Sequence, residues 1–173
     1  MSKLPSGTMQ YGDWHVSVSE PEPFNPRRFR HNLPDTAGQA VGYTPQGVVA
    51  GKVNFEISGN RLSLANMDFG PEGAGNETGE DNTGHGLGTA ILDALEEMFP
   101  DLQFAELGGS HTAAGVMFME NRALSGKRRI HAFDCPGGQA DDVCTCEVRP
   151  GRDHAERVAK LRAERDSERS GPA

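Results

Sequence analysis

The chain has 173 residues, 35% hydrophobic and 24% charged, with 22 glycines, 11 prolines and a formal net charge of -8. That length supports one domain with a real core plus tails, here residues 1–150 followed by a charged tail over 151–173. The acidic balance argues against a nucleic-acid phosphate surface, and no apolar run approaches the roughly 20 residues of a membrane span. The opening "MSKLPSGTMQ" has no apolar core of a secretory signal, so the expectation is a soluble cytoplasmic protein.

In chain order, "DWHVSVSE" alternates apolar and polar residues and predicts a half-buried strand with Trp14, Val16 and Val18 on one side. The following "EPFNPRRFRHNLPDTAG" is broken by Pro21, Pro23, Pro26 and Pro34 and reads as a loop. Its basic cluster, Arg27, Arg28, Arg30 and His31, runs against the general sign and reads as an exposed turn. "QAVGYTPQG" is a strand ending in a turn. "VVAGKVNFEI" places Val49, Val53, Phe55 and Ile57 at period two, and "SGN" is a hairpin turn before "RLSLANMDF". Three consecutive antiparallel strands result.

From Gly70 to Thr83 no apolar side chain exceeds alanine, so this stretch predicts a mobile loop. Its Glu72, Glu77, Glu80 and Asp81 read as a solvated acidic face, with a cation site as the alternative. "NET" at Asn76 matches a glycosylation acceptor, which means nothing without secretion. A helix follows with Leu87, Ile91, Leu95 and Met98 at helical spacing, ending at Pro100. "DLQFAELGG" is a short strand. "HTAAGVMFMENRALSG" is a second helix with Ala114, Met117, Phe118 and Leu124 toward the core, and "RIHAF" and "VCTCEV" are two final strands. The fold class is therefore α/β (α+β): a mixed, mostly antiparallel central sheet with flanking helices.

Cys135, Cys144 and Cys146 are an odd set of late cysteines and read as free thiols. With His131 they make a three-cysteine, one-histidine set, but Cys144 and Cys146 are two apart and would point to opposite faces of a strand. No metal is expected, and a zinc-stabilised interaction module is kept only as an alternative.

The chemistry concentrates in "TGHGLGTAIL", where Gly84, Gly86 and Gly88 lead directly into a helix. Glycine lets the backbone approach a ligand closely, and a helix N-terminus favours negative charge. A nucleotide P-loop is excluded because no lysine follows the glycines. A dinucleotide fingerprint is matched only loosely, by Gly84, Gly86 and Glu106, since the preceding strand ends a long loop away in an antiparallel sheet.

The turn resembles the acyl-coenzyme-A turn of the GNAT N-acetyltransferase superfamily, R/Q-G-x-G-[IL]-G-[ST]-x-[LI], with Gly84, Gly86, Leu87, Gly88 and Thr89 in place. The order of strands and helices over Trp14 to Val148 agrees with that family. The resemblance implies acetyl (or other acyl) transfer from coenzyme A to an amine of a small molecule or peptide, and a homodimer as in many members. It assigns cofactor contact to Met67, Phe69, Thr83, Gly84, His85, Gly86, Leu87, Gly88, Thr89, His111 and Phe118. Backbone N–H groups around Met67 to Phe69 would face the developing oxyanion. Asp68, Glu72 and Glu106 are the candidate bases and His111 the candidate acid. Two positions depart from the pattern. Thr83 replaces an arginine or glutamine, and, aligned on Ala114, His111 and Phe118 stand where the family has asparagine and tyrosine. Phenylalanine cannot donate a proton, so a non-catalytic acyl-coenzyme-A-binding protein is the alternative.

Overall fold

The computed structural model describes residues 4–23, 36–65, 67–73, 75–106, 118, 121–122, 125–127, 130–131, 160 and 163. It divides into two compact units, Met1–Ala105 and Glu106–Ala173. The first is an α+β unit of seven strands and one helix. They are β1 (Met9–Tyr11), β2 (Trp14–Val18), β3 (Glu22–Pro23), β4 (Thr36–Tyr43), β5 (Val49–Ser58), β6 (Arg61–Ala65), α1 (Leu87–Met98) and β7 (Gln103–Glu106).

The sheet runs in the order β1-β2-β4-β5-β6-β7, with β3 paired to β4. Pairings from β1 to β6 are antiparallel. At β7 the direction changes: the Gln103 N–H donates to the Asn60 carbonyl at 2.8 Å, so the start of β7 lies beside the start of β6. A helix between two adjacent strands of the same direction is the ordinary crossover for such a pair, and α1 is that helix. The sheet is thus mixed and mostly antiparallel, as the sequence predicts.

The period-two reading holds on one face. Val16, Ala40, Val53, Phe55, Leu62 and Leu64 are buried there, and Leu87, Ile91, Leu92 and Leu95 of α1 press onto them. Each of these side chains larger than alanine stabilises the fold by about 1.5–3 kcal/mol on leaving water. At the far end of the helix Phe99 meets Phe55 edge to face, with ring centroids 5.6 Å apart. The opposite sheet face is polar: Gln39 donates to Asn54 at 2.9 Å, and the Ser17 and Tyr43 hydroxyls lie 3.3 Å apart.

Where α1 begins, the sheet has no side chains to separate it from the helix. Gly42 and Gly51 are cross-strand partners. A Cβ on Gly42 would run into Leu87, and one on Gly51 would meet Phe69 at 2.5 Å and Leu87 at 3.4 Å. The glycine pair makes a flat patch of backbone, and both Leu87 and Phe69 lie on it.

Four sequence expectations are corrected. Thr36 to Gly38, read as loop, open β4, because they pair with Ile57 to Phe55 of the long strand β5. Glu22–Pro23, also read as loop, pair with Ala37 and Thr36 at the sheet edge, where proline is tolerated. The hairpin strand β1 was not foreseen. Its signal is the two-residue turn Gly12–Asp13 between the partners Tyr11 and Trp14. Strict alternation also fails at Ala50, which is buried beside Gly51 because the register shifts between Gly42 and Tyr43.

The second unit is described at few positions. Phe118, Asn121 and Arg122 have helical conformation, in keeping with the second helix, and Ile130–His131 form a strand, β8. The basic cluster Arg27, Arg28, Arg30 and His31, together with Cys135, Cys144, Cys146 and the final strand, lies outside the described residues. No helix among the described residues is long and apolar enough to cross a membrane.

Substituting Gly42→Val places an isopropyl group in the volume held by Leu87. Overpacking of this kind costs about 1–3 kcal/mol. Urea unfolding should show a lower midpoint with an unchanged slope; an unchanged midpoint would mean that α1 does not rest on the sheet at this point.

Candidate functional site

The route from β6 to the glycine turn is built by a closed loop. After Ala65 the strand leaves β5, and the last β5–β6 pair is Asn54 with Ala65. This leaves the start of β5 without a strand on that side. The loop over 70–82 fills the place. The Glu77 N–H donates to the Val49 carbonyl at 2.8 Å, and Asn82 Nδ2 donates to the Ala50 carbonyl at 3.1 Å. Ala50 is the bulged residue with no partner on β4, so Asn82 satisfies an acceptor that the ladder leaves over.

Side chains hold the loop from inside. Asn76 Nδ2 donates to the Gly70 carbonyl at 2.7 Å and to the Glu80 carbonyl at 2.8 Å, while its oxygen accepts from the Thr78 amide at 2.9 Å and hydroxyl at 2.7 Å. Asn82, buried to 6% exposure, donates a further bond to Thr78 at 3.0 Å. The expectation of a mobile loop is therefore corrected. An absent apolar core does not free a segment whose asparagines and threonines bond to the backbone. Asn76, the glycosylation match, is engaged in this network. The acidic Glu72, Glu77, Glu80 and Asp81 are exposed, and no metal-binding group of three or more His, Cys, Asp or Glu side chains occurs among the described residues.

The decisive bond closes the loop at its base. The Asn82 N–H donates to the Phe69 carbonyl at 2.9 Å. The intervening residues form an excursion with touching ends, in the manner of an Ω-loop. Thr83 therefore continues from Phe69 as though the loop were absent. Phe69 and Leu87, far apart in sequence, share the Gly51 patch.

At the turn Gly84 has φ +78° and Gly86 φ +86°, values that only glycine adopts without strain. Gly86 is the N-cap of α1, with no side-chain cap and no acidic residue in the first helical turn. The first helical amide with a backbone partner is that of Ala90, bonded to the Gly86 carbonyl at 2.9 Å. Among the described residues nothing accepts from the amides of Gly86, Leu87, Gly88 and Thr89. These are the four orphan donors of a helix start. Gly84, His85 and Gly86 are exposed, and a Cβ on Gly84 would meet nothing within 4 Å. The turn faces open space.

Beside it runs a groove of about 420 Å³. One wall is the β1–β2 turn, Tyr11 to Trp14; the other is His85, Gly86, Thr89, Ala90 and Asp93 of the glycine turn and α1. Two bonds hold the walls together. Trp14 Nε1 donates to the His85 carbonyl at 2.9 Å, and the Tyr11 hydroxyl donates to Glu97 Oε2 at 2.7 Å. Burial, and then the Glu97 and Asp93 carboxylates beside it, push the Tyr11 phenol above its ordinary range.

The expected site residues divide by what the structure does with them. Thr83, Gly84, His85, Gly86, Gly88 and Thr89 form the open turn; Leu87 offers only its amide, because its side chain is wholly buried. Met67 and Phe69, expected on the strand, lie beyond it because β6 ends at Ala65, and among the described residues nothing accepts from their amides. Phe69 itself is core. The Asp68 carboxylate is exposed but accepts from the Gly70 amide at 3.0 Å, and Glu72 is exposed on the excursion. Glu106 ends β7, its side chain outside the described residues, as is the whole of His111; Phe118 is half-buried. Sequence reasoning missed Tyr11, Asp13, Trp14 and Asp93 along the groove and Asn82 beneath the turn. The Gly12–Asp13 turn was the available signal for the first three.

No protein-family model, curated protein or solved structure matches this chain.

Two outcomes check this geometry. Asn82→Ala leaves the Ala50 carbonyl unpaired and should cost about 1–3 kcal/mol in urea unfolding, with faster hydrogen exchange at Glu77; a neutral change would remove Asn82 from its anchoring role. Because the folded phenol holds its proton more tightly, the Tyr11 contribution is complete below about pH 10 and is lost as the pH rises beyond it. Tyr11→Phe should lower stability at pH 7 by about 0.5–1.5 kcal/mol and flatten that alkaline loss; an unchanged alkaline profile would contradict the Tyr11–Glu97 bond.

Proposed function

We propose that the chain is an acyltransferase of the GNAT type, moving an acetyl or other acyl group from coenzyme A to an amine of a small molecule or peptide. The observation that carries this reading is the Asn82–Phe69 closure. It brings Met67 and Phe69, which follow β6 and whose amides have no partner among the described residues, directly to a glycine turn whose helix amides are equally open. Open backbone amides just beyond a strand, followed at once by such a turn, suit the arrangement that the resemblance of "TGHGLGTAIL" implies for a diphosphate-bearing cofactor.

The donor set suits that group. Backbone N–H groups at a helix N-terminus take a phosphate without any basic side chain, because the aligned peptide dipoles place about half a positive charge there. That allows an acidic chain with Thr83 in place of arginine or glutamine to serve as host. Bound coenzyme A would supply an acyl thioester, activated toward attack by nitrogen. The chain's own part would be fourfold: to grip the diphosphate at Gly84 to Thr89, to offer the Met67 or Phe69 amide to the acyl oxygen, to receive the ammonium proton, and to return one to the leaving sulfur. Glu72, exposed and without a bond to the turn backbone, suits the base better than Asp68, which holds the Gly70 amide. His111 is the acid in this reading.

Phe118 sustains one second reading, a protein that binds acyl-coenzyme A and transfers nothing. Isothermal titration with coenzyme A tests what both share. Binding with a Kd in the micromolar range is expected, weakened at least tenfold in Gly86→Val, whose side chain cannot adopt φ +86° without strain. No heat at millimolar coenzyme A would remove both readings. Thiol release from acetyl-coenzyme A with a panel of amines separates them: release supports transfer, while binding without release, restored by Phe118→Tyr, supports the binder.

A further inference from the structure

We infer that the groove between the β1–β2 turn and α1 is a binding site for a small protonated amine. Its volume, about 420 Å³, lies within the range of small-ligand sites. Its lining is chemically one-sided. Tyr11 and Trp14 supply aromatic surface, Asp13 and Asp93 supply carboxylates, and no lysine or arginine lines it among the described residues. Aromatic rings with adjacent carboxylates attract an ammonium group twice over, through the ring quadrupole and through charge.

Two bonds pre-arrange these groups. Trp14 Nε1 is committed to the His85 carbonyl, so the indole is held by its edge in the lining of the groove. The Tyr11 hydroxyl is committed to Glu97, which fixes the phenol as a wall of the groove. Thr89 and Ala90 add small side chains to the lining, leaving room for a short aliphatic stem.

Electrostatics places the ammonium within the groove. The positive pole of α1 lies at Gly86 and repels a cation there. Asp93 is seven residues further on, about 10 Å along the axis at 1.5 Å per residue. The ammonium therefore belongs toward Asp93, with the stem running back toward Thr89. A net charge of -8 draws cations toward the molecule in general, and this groove joins two carboxylates to two rings in one lining. The site does not depend on the coenzyme A reading.

Trp14 is the single tryptophan of the chain, so its fluorescence reports the groove. The probe is n-butylammonium chloride at pH 7 and constant ionic strength, with n-butanol as its uncharged match. A saturable change half complete at low millimolar amine, absent with butanol, is expected. The double variant Asp13→Asn, Asp93→Asn should raise the half-saturation point at least tenfold. Asp13→Asn alone, at an exposed turn position, should raise it about threefold and serves if the double variant does not fold. A change that never saturates, an equal response to butanol, or undiminished binding in a folded variant overturns the site. Coenzyme A titrated separately reads the glycine turn, so failure of one leaves the other standing.

Discussion

The structure of the first unit rests on a direct approach of helix to sheet at Gly42 and Gly51. In most α+β packing a layer of side chains separates the two elements. Here two partnered glycines remove that layer at one spot, and Leu87 from the helix and Phe69 from the segment after β6 descend onto the bare backbone. The first residue of α1 is thereby pinned, and the glycine turn before it is positioned by the same contact. A methyl group on Gly42 would meet the Leu87 side chain and one on Gly51 the Phe69 ring, so either would disturb the packing that seats the helix start. Tight packing of this kind transmits small changes of volume because protein interiors have few voids to absorb them.

Backbone accounting explains the rest of the local structure. The bulge that interrupts β4 and β5 buries both Ala50 and Gly51, and so makes room for the patch. It also strands a carbonyl, and β6 departs before it can pair with the start of β5. Buried acceptors must be satisfied, and the loop over 70–82 meets that need with Glu77 N–H and Asn82 Nδ2. An insertion that reads as filler is thus the partner of an otherwise unfinished strand. The same bonds close it at Phe69, which keeps a long segment from separating strand and turn.

How much of this was legible follows from which interactions carry it. Period-two burial in β2 and β5 and the 3.6-residue spacing of Leu87, Ile91 and Leu95 come from the hydrophobic effect, which acts on residue type and position. Those elements were read correctly, and so was the hairpin turn before Arg61. The loop was misread because its order depends on where particular amides and hydroxyls meet, as at Asn76, Thr78 and Asn82. Composition carries no record of such partners. The start of β4 at Thr36 was likewise invisible, since small and polar residues enter a strand there only through pairing with β5. Within the site, the turn was visible from its glycines, while the groove was not. It exists only because Tyr11 and Trp14, on a three-residue strand and its neighbour, are folded against a helix more than seventy residues away.

The unanswered dipole of α1 is the last step in relating this architecture to chemistry. Most helices end their positive pole with a serine, threonine or aspartate cap, or with acidic residues in the first turn. This one has neither, in a chain that carries 25 acidic residues and so had many to spare. Its carboxylates lie instead at Asp93, Glu96 and Glu97, beyond the reach of the first turn, where they oppose a cation's exclusion rather than neutralise the pole. One helix face therefore has two ends of opposite preference, an amide-rich start open to anions and an acidic stretch that favours cations. A side-chain cap does not suit this position, because Gly86 sits at φ +86°, which an aspartate would hold only under strain. Leaving the pole bare costs stability that the burial of Leu87, Ile91 and Leu95 on the sheet supplies, so a glycine can occupy the cap without loss of the fold.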